Sequence, residues 1–293
     1  MKCNLCPRKC NVDIMSQVGF CGKKGKDIKI AKIMRHNWEE PIISGEKGSG
    51  AIFYAYCSLK CCYCQNYQLS HLGMGKDFTE SELANFIKKL DESQVENINF
   101  VTPTHYTDNI INALNIYKPS VPVVWNTSGY ETEENIEKLK DYVDIFLFDF
   151  KYCCNKKSLK YSKAKDYFDV CLKALKKARQ IIPEDIIENG IMKKGIIVRH
   201  LVLPNNYLDS IKIFEAIKKE IGNNIYISLM SQYVPFYKAK EDNDLCRRVK
   251  PIEYKKVKNC LETLGFNKGF VQDFSSSTCE YTPDFNLDNF WEV

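Results

Sequence analysis

The sequence lacks a long apolar run anywhere along its 293 residues. No apolar stretch approaches the roughly 18–20 residues that a helix needs to cross a bilayer. The first four residues, Met1–Asn4, also lack the apolar segment of a signal peptide. These absences argue against membrane-spanning and secreted classes, and we expect a cytoplasmic protein with no membrane partner.

The chain also lacks a strong cluster of charge. It carries 42 Lys and Arg against 37 Asp and Glu, a formal net charge of +5. The basic residues occur in short pairs such as Lys156-Lys157 and Lys176-Lys177, whereas a nucleic-acid surface needs them clustered on one face. Solvated helix faces explain this pattern better, and no nucleic-acid partner is expected.

Cysteine, by contrast, is abundant, with 14 residues. In a cytosolic chain of this size a disulfide scaffold is not expected, and metal binding or catalysis is the better explanation. Two groups of four stand at positions 3, 6, 10 and 21 and at positions 57, 61, 62 and 64. The other six are scattered, and most of them are expected to be small buried hydrophobic residues.

The spacing C-x3-C-x2-C at Cys57, Cys61 and Cys64 follows an apolar run over residues 51–56 that predicts a strand. Three thiolates can hold one face of an iron–sulfur cube, which usually takes four thiolates. One iron is then free for a ligand that is not protein, and open coordination indicates a catalytic site. The alternative is a zinc knuckle completed by Cys62 or a distant residue, although zinc sites more often pair C-x2-C with a second pair. Tyr63 is expected to shield the cluster from water.

The first cysteine group, Cys3, Cys6, Cys10 and Cys21, has the spacing C-x2-C-x3-C-x10-C. Residues 1–25 contain too little apolar surface to fold by packing alone, so a bound metal would supply the missing stabilisation. Four thiolates close the coordination shell, which predicts a structural zinc or an electron-relay cluster. The metal identity stays open because the spacing differs from the ferredoxin run, and free thiols in a tail are the alternative.

From residue 51 onward, predicted strands and helices alternate, after a possible short strand at 28–35. The predicted strands cover residues 51–57, 97–101, 122–126, 144–149, 195–203 and 225–230. The predicted helices cover residues 79–90, 107–117, 132–142, 164–181, 210–221 and 251–264. The strands are nearly continuous apolar runs, which is typical of a parallel sheet covered on both faces. Six such units predict an α/β fold resembling a TIM barrel that is left open on one side.

The motif C-x3-C-x-aromatic-C directly after a strand resembles the signature of the radical S-adenosylmethionine (radical SAM) enzymes. The flanking sequence narrows the resemblance to the branch described as similar to pyruvate formate-lyase activating enzyme. The similar stretches are residues 39–50, 64–67, 101–105, 124–126, 149–151, 199–204 and 281–285. The resemblance covers nearly the whole chain and implies a partial (β/α)6 TIM-like radical SAM barrel. It also implies a 4Fe-4S cluster on Cys57, Cys61 and Cys64, with S-adenosylmethionine as second cofactor.

The function implied by the resemblance is reductive cleavage of S-adenosylmethionine to a 5′-deoxyadenosyl radical, which abstracts hydrogen from a protein or peptide substrate. Activation of a glycyl radical enzyme is one such reaction, and a flavodoxin- or ferredoxin-type protein is the expected electron donor. Modification of a small molecule or peptide natural product is the alternative. A zinc-binding module for nucleic acid or protein is a more remote one. No residue is assigned a catalytic role.

Polar side chains stand at or near the predicted strand ends, where functional groups gather in βα folds. Those expected to line the S-adenosylmethionine pocket are Thr104, Asn126, Ser128, Asp149, Lys151 and Arg199. Asp149 and Lys151 are two apart on one strand, point to the same side and suit a zwitterion. Arg199 and His200 point to opposite sides, and Arg199 is expected to face inward.

One stretch departs from the resemblance. Members of the family commonly have a Gly-Gly-Glu type motif after the second strand, and this chain has Thr102-Pro103-Thr104-His105 there. His105 is equally well explained as a turn histidine or as a pocket residue. We expect three regions: a Cys-rich extension over residues 1–45, the barrel over 46–270, and a tail over 271–293 that packs on the barrel.

Overall fold

A computed structural model describes residues 2–274, 285 and 287–293. Within these residues the strands, in chain order β1 to β11, are Ile28–His36, Ser49–Tyr54, Lys76–Phe78, Ile98–Val101, Val123–Thr127, Ile145–Asp149, Ile186–Glu188, Ile191–Leu201, Tyr226–Met230, Gly269–Val271 and Trp291–Glu292. The helices α1 to α9 are Pro41–Ser44, Tyr67–Ser70, Glu80–Glu92, Thr107–Ile116, Glu133–Lys138, Asn155–Ser162, Tyr167–Ile181, Tyr207–Glu220 and Pro251–Leu264. No helix in this part of the chain is both long enough and apolar enough to span a bilayer.

The strands form one open sheet in the order β10-β9-β8-β6-β5-β4-β2-β1-β11. The neighbours from β10 to β2 are all parallel, whereas β1 runs antiparallel to β2. The sheet does not close on itself, because β10 and β11 stand at opposite ends of this order. The predicted α/β fold, an open partial barrel, is therefore confirmed.

Successive side chains of each strand point to opposite faces of the sheet, and the two faces belong to two different apolar cores. Val124, Ile145, Leu147 and Ile197 form a small apolar core with Ile43 of α1. The residues between them in sequence, such as Trp125 and Phe146, belong to the large core that includes the helices. Because every second residue of a strand shares a face, the inner apolar core continues toward the strand ends as a set of polar side chains.

The predicted βα units are present, with local differences. The predicted helix over 164–181 is α7 alone, and a separate helix, α6, precedes it. Lys163 ends α6 in a left-handed conformation, with φ of 58°. The sequence did not reveal α6 because only Ser158, Tyr161 and Ser162 are buried on it, which gives no apolar stripe. Four further strands, β3, β7, β10 and β11, were not predicted.

Two regions flank the barrel. Residues 2–27 contain no helix and only an isolated bridge between Lys2 and Asp13. Strand β1 follows them, lies within the predicted extension, and joins the sheet through β2. At the other end β11 pairs with β1, and the ring of Phe285 packs against Phe53. The similar stretch over 281–284 lies outside the described residues.

Candidate functional site

The cysteine loop follows the buried strand β2 directly. The Tyr56 N–H donates to the Leu69 carbonyl (2.9 Å), which fixes the backbone beyond the end of the strand. Tyr56 has a positive φ of 72°, an uncommon conformation for a bulky residue. The chain therefore turns sharply just before Cys57, and the loop starts from a fixed point at the barrel mouth.

Each of the three predicted ligand sulfurs accepts a hydrogen bond, and all three line one cavity. The pairs are Leu59 N–H to Cys57 Sγ (3.3 Å), Ser162 Oγ to Cys61 Sγ (3.0 Å) and Ser70 Oγ to Cys64 Sγ (3.1 Å). Hydrogen bonds to sulfur favour the thiolate over the thiol and contribute to the reduction potential of iron–sulfur clusters. The loop thus presents three thiols that are prepared for metal binding.

Cys62 is arranged differently, although it lies within the same loop. Its side chain is not part of the cavity wall. Its backbone N–H donates to the Tyr161 carbonyl (2.7 Å), and its thiol lies near the Lys160–Asp242 ion pair. The geometry therefore separates Cys62 from the other three cysteines of the loop.

Burial makes free thiolates costly at this position. It raises the pKa of Cys57 to about 12 and that of Cys64 to about 11, and it also raises the pKa of Cys61. Positive charge from a bound metal would offset this cost, and soft thiolates suit iron. No group of three or more His, Cys, Asp or Glu side chains in the described ranges is arranged to hold a single ion. A cube that is bound through three different irons does not require such convergence.

A chain of hydroxyl groups leads from Tyr63 to the sulfur of Cys61. The Tyr63 and Tyr152 hydroxyls lie 2.6 Å apart, as do the Tyr152 hydroxyl and Ser162 Oγ. Ser162 donates its one hydroxyl hydrogen to Cys61, so it accepts from Tyr152, which in turn accepts from Tyr63. Both tyrosines are buried, and they shield this side of the loop from water.

A cavity of about 360 Å³ adjoins the three sulfurs. Five of the six side chains predicted for the pocket line it, namely Asn126, Ser128, Asp149, Lys151 and Arg199. They stand at or just beyond the ends of β5, β6 and β8, on the inner face defined by the apolar core below them. The structure therefore brings these residues together beside the cysteine loop.

Thr104 does not line this cavity, contrary to the prediction. Its hydroxyl donates to the buried Glu131 carboxylate (2.7 Å), which also accepts from Trp125 Nε1 (3.1 Å) and from the Thr127 hydroxyl (2.7 Å). Burial raises the pKa of Glu131, and these donors counteract the rise. Thr104 thus belongs to a buried structural network, which a strand-end position alone does not reveal.

The two strand-end histidines are neutral and structural. His105 Nε2 lies 2.8 Å from the carbonyl of Ala55, and burial lowers the pKa of His105 to about 3. Both nitrogens of His200 have partners, on Phe150 and Ser210, and burial lowers its pKa to about 4. Arg199 faces the cavity and His200 does not, as the alternation predicts.

The residues that replace the Gly-Gly-Glu motif mostly avoid the cavity. Of the four residues from Thr102 to His105, only Thr102 lines it. Thr102 has a φ of 57°, which is a strained conformation for a β-branched residue. Such strain costs on the order of 1–3 kcal/mol and is typical of functional sites.

Arg199 is the centre of an ion cluster on the cavity wall. Its contacts are Nε to Asp149 Oδ1 (3.0 Å), Nη1 to Glu39 Oε2 (2.9 Å) and Nη2 to Asn126 Oδ1 (2.6 Å). Lys151 Nζ completes the cluster at 2.5 Å from Asp149 Oδ2. The cluster therefore contains two cations and two carboxylates in a fixed arrangement.

Asp149 and Lys151 stay charged despite their location. Burial acts to raise the pKa of Asp149, but Lys151 and Arg199 outweigh it and hold the pKa below its usual range. Burial acts to lower the pKa of Lys151, but Asp149 and the Cys61 thiol raise it. Asp149 and Lys151 keep 18% and 21% of their side-chain surface exposed, so a ligand in the cavity can reach both charges.

Sequence reasoning missed one end of the cavity, which His36, Glu39 and Glu40 line. His36 Nδ1 and Glu40 Oε2 have no hydrogen-bond partner among the described residues, and neither do Tyr54 OH and Ser128 Oγ. Buried polar atoms without partners are rare, and four of them around one cavity fit a polar ligand. The sequence did contain a signal for this end of the cavity, because the adjacent carboxylates of Glu39 and Glu40 stand directly before Pro41.

Comparison with known proteins identifies the family. The model described as the radical SAM superfamily matches residues 51–198, just over half of the chain. An uncharacterized protein of Methanocaldococcus jannaschii is 34% identical over 272 residues, which cover 89% of this chain and 73% of that protein.

One solved structure with a TM-score above 0.5 shows the same fold. SuiB of Streptococcus suis, bound to its precursor peptide SuiA, aligns with a TM-score of 0.52 at 10% identity. The alignment covers 75% of this chain and 48% of SuiB, so the chain spans about half the length of that protein. Native anSMEcpe with bound AdoMet has a TM-score of 0.48 at 15% identity, over 79% of this chain and 62% of that one. The superfamily and the fold expected from the cysteine motif are thus confirmed, and the chain belongs to the radical SAM superfamily, whose cofactors are a 4Fe-4S cluster and S-adenosylmethionine.

Proposed function

We propose that this radical SAM enzyme abstracts hydrogen from a protein or peptide substrate, in the manner of the branch similar to pyruvate formate-lyase activating enzyme. A glycyl radical enzyme is the first candidate substrate. The observation that carries the proposal is the single cavity that joins the three cysteine sulfurs to a buried ion cluster.

In this proposal Cys57, Cys61 and Cys64 hold the 4Fe-4S cluster, and Cys62 does not. The first three share the cavity wall and each accepts a hydrogen bond at sulfur, whereas Cys62 is absent from that wall. When bound, the cluster and S-adenosylmethionine together supply the radical chemistry. The chain contributes the ligands, the hydrogen bonds to sulfur and the exclusion of water by Tyr63 and Tyr152.

The methionine end of S-adenosylmethionine matches the charges beside Cys61. Asp149 suits its ammonium group and Lys151 suits its carboxylate, and both are reachable from the cavity. Arg199 and Asn126 keep the Asp149 side of the wall in place. Ser128 offers a hydroxyl without a partner to the same space. These residues replace the contact that the Gly-Gly-Glu motif provides in other family members.

The size of the cavity favours a large substrate that approaches from outside. At about 360 Å³ it lies at the lower end of the range for sites that hold one drug-sized ligand, about 300–1,000 Å³. S-adenosylmethionine is itself a ligand of this size class, so little room remains beside it and a large substrate has to present its reacting hydrogen at the mouth. A flexible peptide segment or loop at the open side of the sheet meets this requirement. SuiB, which shares the fold, is bound to a precursor peptide.

The direct test is anaerobic reconstitution with iron and sulfide, followed by reaction with S-adenosylmethionine and dithionite. We expect 5′-deoxyadenosine, and with a candidate glycyl radical enzyme we expect a doublet glycyl signal by electron paramagnetic resonance. A partner deuterated at glycine should transfer deuterium to 5′-deoxyadenosine. Absence of 5′-deoxyadenosine from a fully reconstituted protein would contradict the proposal. A flavodoxin- or ferredoxin-type donor replaces dithionite in the same assay.

Modification of a small molecule is the second candidate, favoured by the unpartnered atoms His36 Nδ1 and Glu40 Oε2. They leave hydrogen-bonding capacity in the cavity that S-adenosylmethionine does not have to use. Deuterium incorporation into 5′-deoxyadenosine from a small metabolite, without any protein partner, would favour this candidate over the first.

A further inference from the structure

The four N-terminal cysteines lie together, and all are free thiols. Cys6 and Cys21 are buried, and Cys3 and Cys10 are partly buried. The Cys3 thiol lies beside that of Cys10, and the Cys6 thiol lies near those of Cys3 and Cys21. Cys10 Sγ and Cys21 Sγ lie 3.7 Å and 3.5 Å from the position that a Cβ would take at Gly19. The four sulfurs are thus near one another in a segment that the proposed function does not use, although no three of them are arranged around a single ion.

The backbone turns at these cysteines resemble those of the cluster loop, by which we mean residues 57–64 after β2. In both places a thiol accepts a hydrogen bond from the backbone N–H two residues further along. The N-terminal bond runs from Lys23 to Cys21 (3.4 Å) and the loop bond from Leu59 to Cys57 (3.3 Å). In the same relative position the N–H groups of Leu5, Arg8 and Asn66 act to lower the pKa of Cys3, Cys6 and Cys64. Cys171 shows the contrast, because its thiol donates to a backbone carbonyl (3.6 Å) as a protonated group does.

The segment buries little apolar surface of its own. Among residues 2–27 the only buried side chains belong to Cys6, Cys21 and Lys23. The large apolar residues Met15 and Val18 are more than half exposed, at 56% and 58%. A segment that buries so little apolar surface requires a cross-link or a metal to hold one conformation, and no disulfide joins its cysteines.

Arg8, between Cys6 and Cys10, fastens this segment to one side of the cluster loop. Its guanidinium donates to the carbonyls of Ser58 (2.8 Å), Ser162 (3.1 Å) and Lys163. Ser162 is the residue whose hydroxyl donates to Cys61 Sγ. The N-terminal segment therefore fixes the backbone of a residue that contacts a predicted cluster ligand.

A second connection reaches the other side of the loop. Lys60, within the cysteine loop, donates from Nζ to the carbonyl of Cys21 (3.0 Å) and to the carbonyl of Ser70 (2.9 Å). The Ser70 hydroxyl donates to Cys64 Sγ. Both serines that hydrogen-bond the predicted cluster sulfurs are thus held, directly or through Lys60, by the N-terminal cysteine segment.

We propose that the four N-terminal thiolates bind a second metal centre, which holds the two serine hydroxyls against the cluster sulfurs through Arg8 and the Cys21 carbonyl. Four protein thiolates leave no open position, so the centre is a closed site rather than a second catalytic one. Because no three of the sulfurs are arranged around one ion, the geometry favours an iron–sulfur cluster, whose irons each take one thiolate, over a single zinc. The positioning part of this inference rests on the proposed cluster ligands.

The test measures zinc, iron and acid-labile sulfide in the full-length protein, purified anaerobically after growth with both metals. A triple variant, Cys57→Ala, Cys61→Ala and Cys64→Ala, removes the loop ligands alone. A double variant, Cys6→Ala and Cys21→Ala, removes two N-terminal ligands, and Cys260→Ala is the matched control on α9. We expect the triple variant to retain one iron–sulfur cluster, the double variant to lose it, and the control to match the wild type.

A triple variant that remains folded by circular dichroism but binds no metal would overturn the second centre, even if the double variant fails to fold. Wild-type metal content in the double variant would also overturn it. A triple variant that keeps all of the wild-type metal would instead refute the loop assignment, so the two failures are distinguishable.

The positioning role has its own measurement. Arg8→Ala should lower the midpoint potential of the loop cluster, because a less fixed Ser162 hydroxyl stabilises the Cys61 sulfur less well. The metal content of the second centre should not change, and Lys24→Ala, an exposed control in the same segment, should leave the potential unaltered. An unshifted potential in Arg8→Ala would overturn the positioning role.

Discussion

Cys57 and Cys21 each accept a hydrogen bond from the N–H two residues further on, yet their surroundings differ. Cys57 follows a strand that is buried along its whole length and faces a cavity with a cluster of charges. Cys21 lies in a segment without helix or strand, among three other thiols.

On the two proposals above, the surroundings assign one local motif to two roles. The cluster loop offers three thiolates beside charges that can receive a second ligand, which is the arrangement of an open site. The N-terminal group offers four thiolates, which is the arrangement of a closed one. Tyr56 joins the two regions, because its ring lies directly against both Gly22 and Gly73.

The largest expected effect is on the cluster loop alone. Cys61→Ala should reduce formation of 5′-deoxyadenosine to the background of a reaction without enzyme, because one of three iron ligands is lost. Cys62→Ala should keep both the iron and the reaction. Iron content and chromatography of the nucleoside product measure this, and a Cys62 variant that loses iron beside a Cys61 variant that keeps it would reverse the assignment.

The next effect concerns the contact between the two regions. Gly22→Ala places a methyl group into the Tyr56 ring at a φ of 111°. Overpacking of this kind costs about 1–3 kcal/mol, so the free energy of local opening of residues 2–27 should fall by that amount. Amide hydrogen exchange measures it.

Gly25→Ala is the matched control, because its φ is 79° and no atom lies within 4 Å of the added methyl. It should show only the backbone strain, about 1–2 kcal/mol. Equal opening in both variants would mean that the Tyr56 contact does not hold the segment.

A smaller effect is expected at the cavity beside the cluster loop, and it should leave the N-terminal cysteines unaffected. Asp149→Asn removes the negative partner of Lys151 and, in our proposal, of the S-adenosylmethionine ammonium. We expect the Kd for S-adenosylmethionine to rise about tenfold, equivalent to about 1.4 kcal/mol, with unchanged zinc and iron content. Anaerobic equilibrium dialysis measures the affinity, and Asp91→Asn on the outer surface is the control. An unaltered Kd would mean that Asp149 does not contribute to binding of S-adenosylmethionine.

The smallest effect is on the reduction potential. Ser162→Ala removes the O–H donor to Cys61 Sγ and should lower the midpoint potential by an amount on the order of tens of millivolts. Ser158→Ala on the same helix is the control, because its hydroxyl donates to the Ala164 carbonyl instead. A redox titration followed by electron paramagnetic resonance compares them, and equal shifts would rule out a specific O–H···S contribution.

Much of this architecture is readable in the sequence. The near-continuous apolar strands predicted an open α/β barrel, and the spacing of three cysteines after a strand predicted the radical SAM family. Thr79, where a helix was predicted to begin, caps α3: its hydroxyl accepts from the Glu82 N–H (3.3 Å). These features depend on neighbours a few residues apart, so local sequence suffices to specify them. Helix α6 escaped prediction because its few buried residues form no apolar stripe.

The sequence alone determined the two cysteine turns, since a thiol that accepts from the N–H two residues on needs only its own loop. Only the tertiary structure decided what those turns face. Arg199 meets Glu39 across 160 positions, and Ser162 reaches Cys61 across 101. Sheet order and register place these partners together, and neither is a local property of the chain. Thr104 was misplaced for the same reason: a strand end gives a side chain its level in the barrel, but packing decides whether it turns to the cavity or to a buried carboxylate such as Glu131.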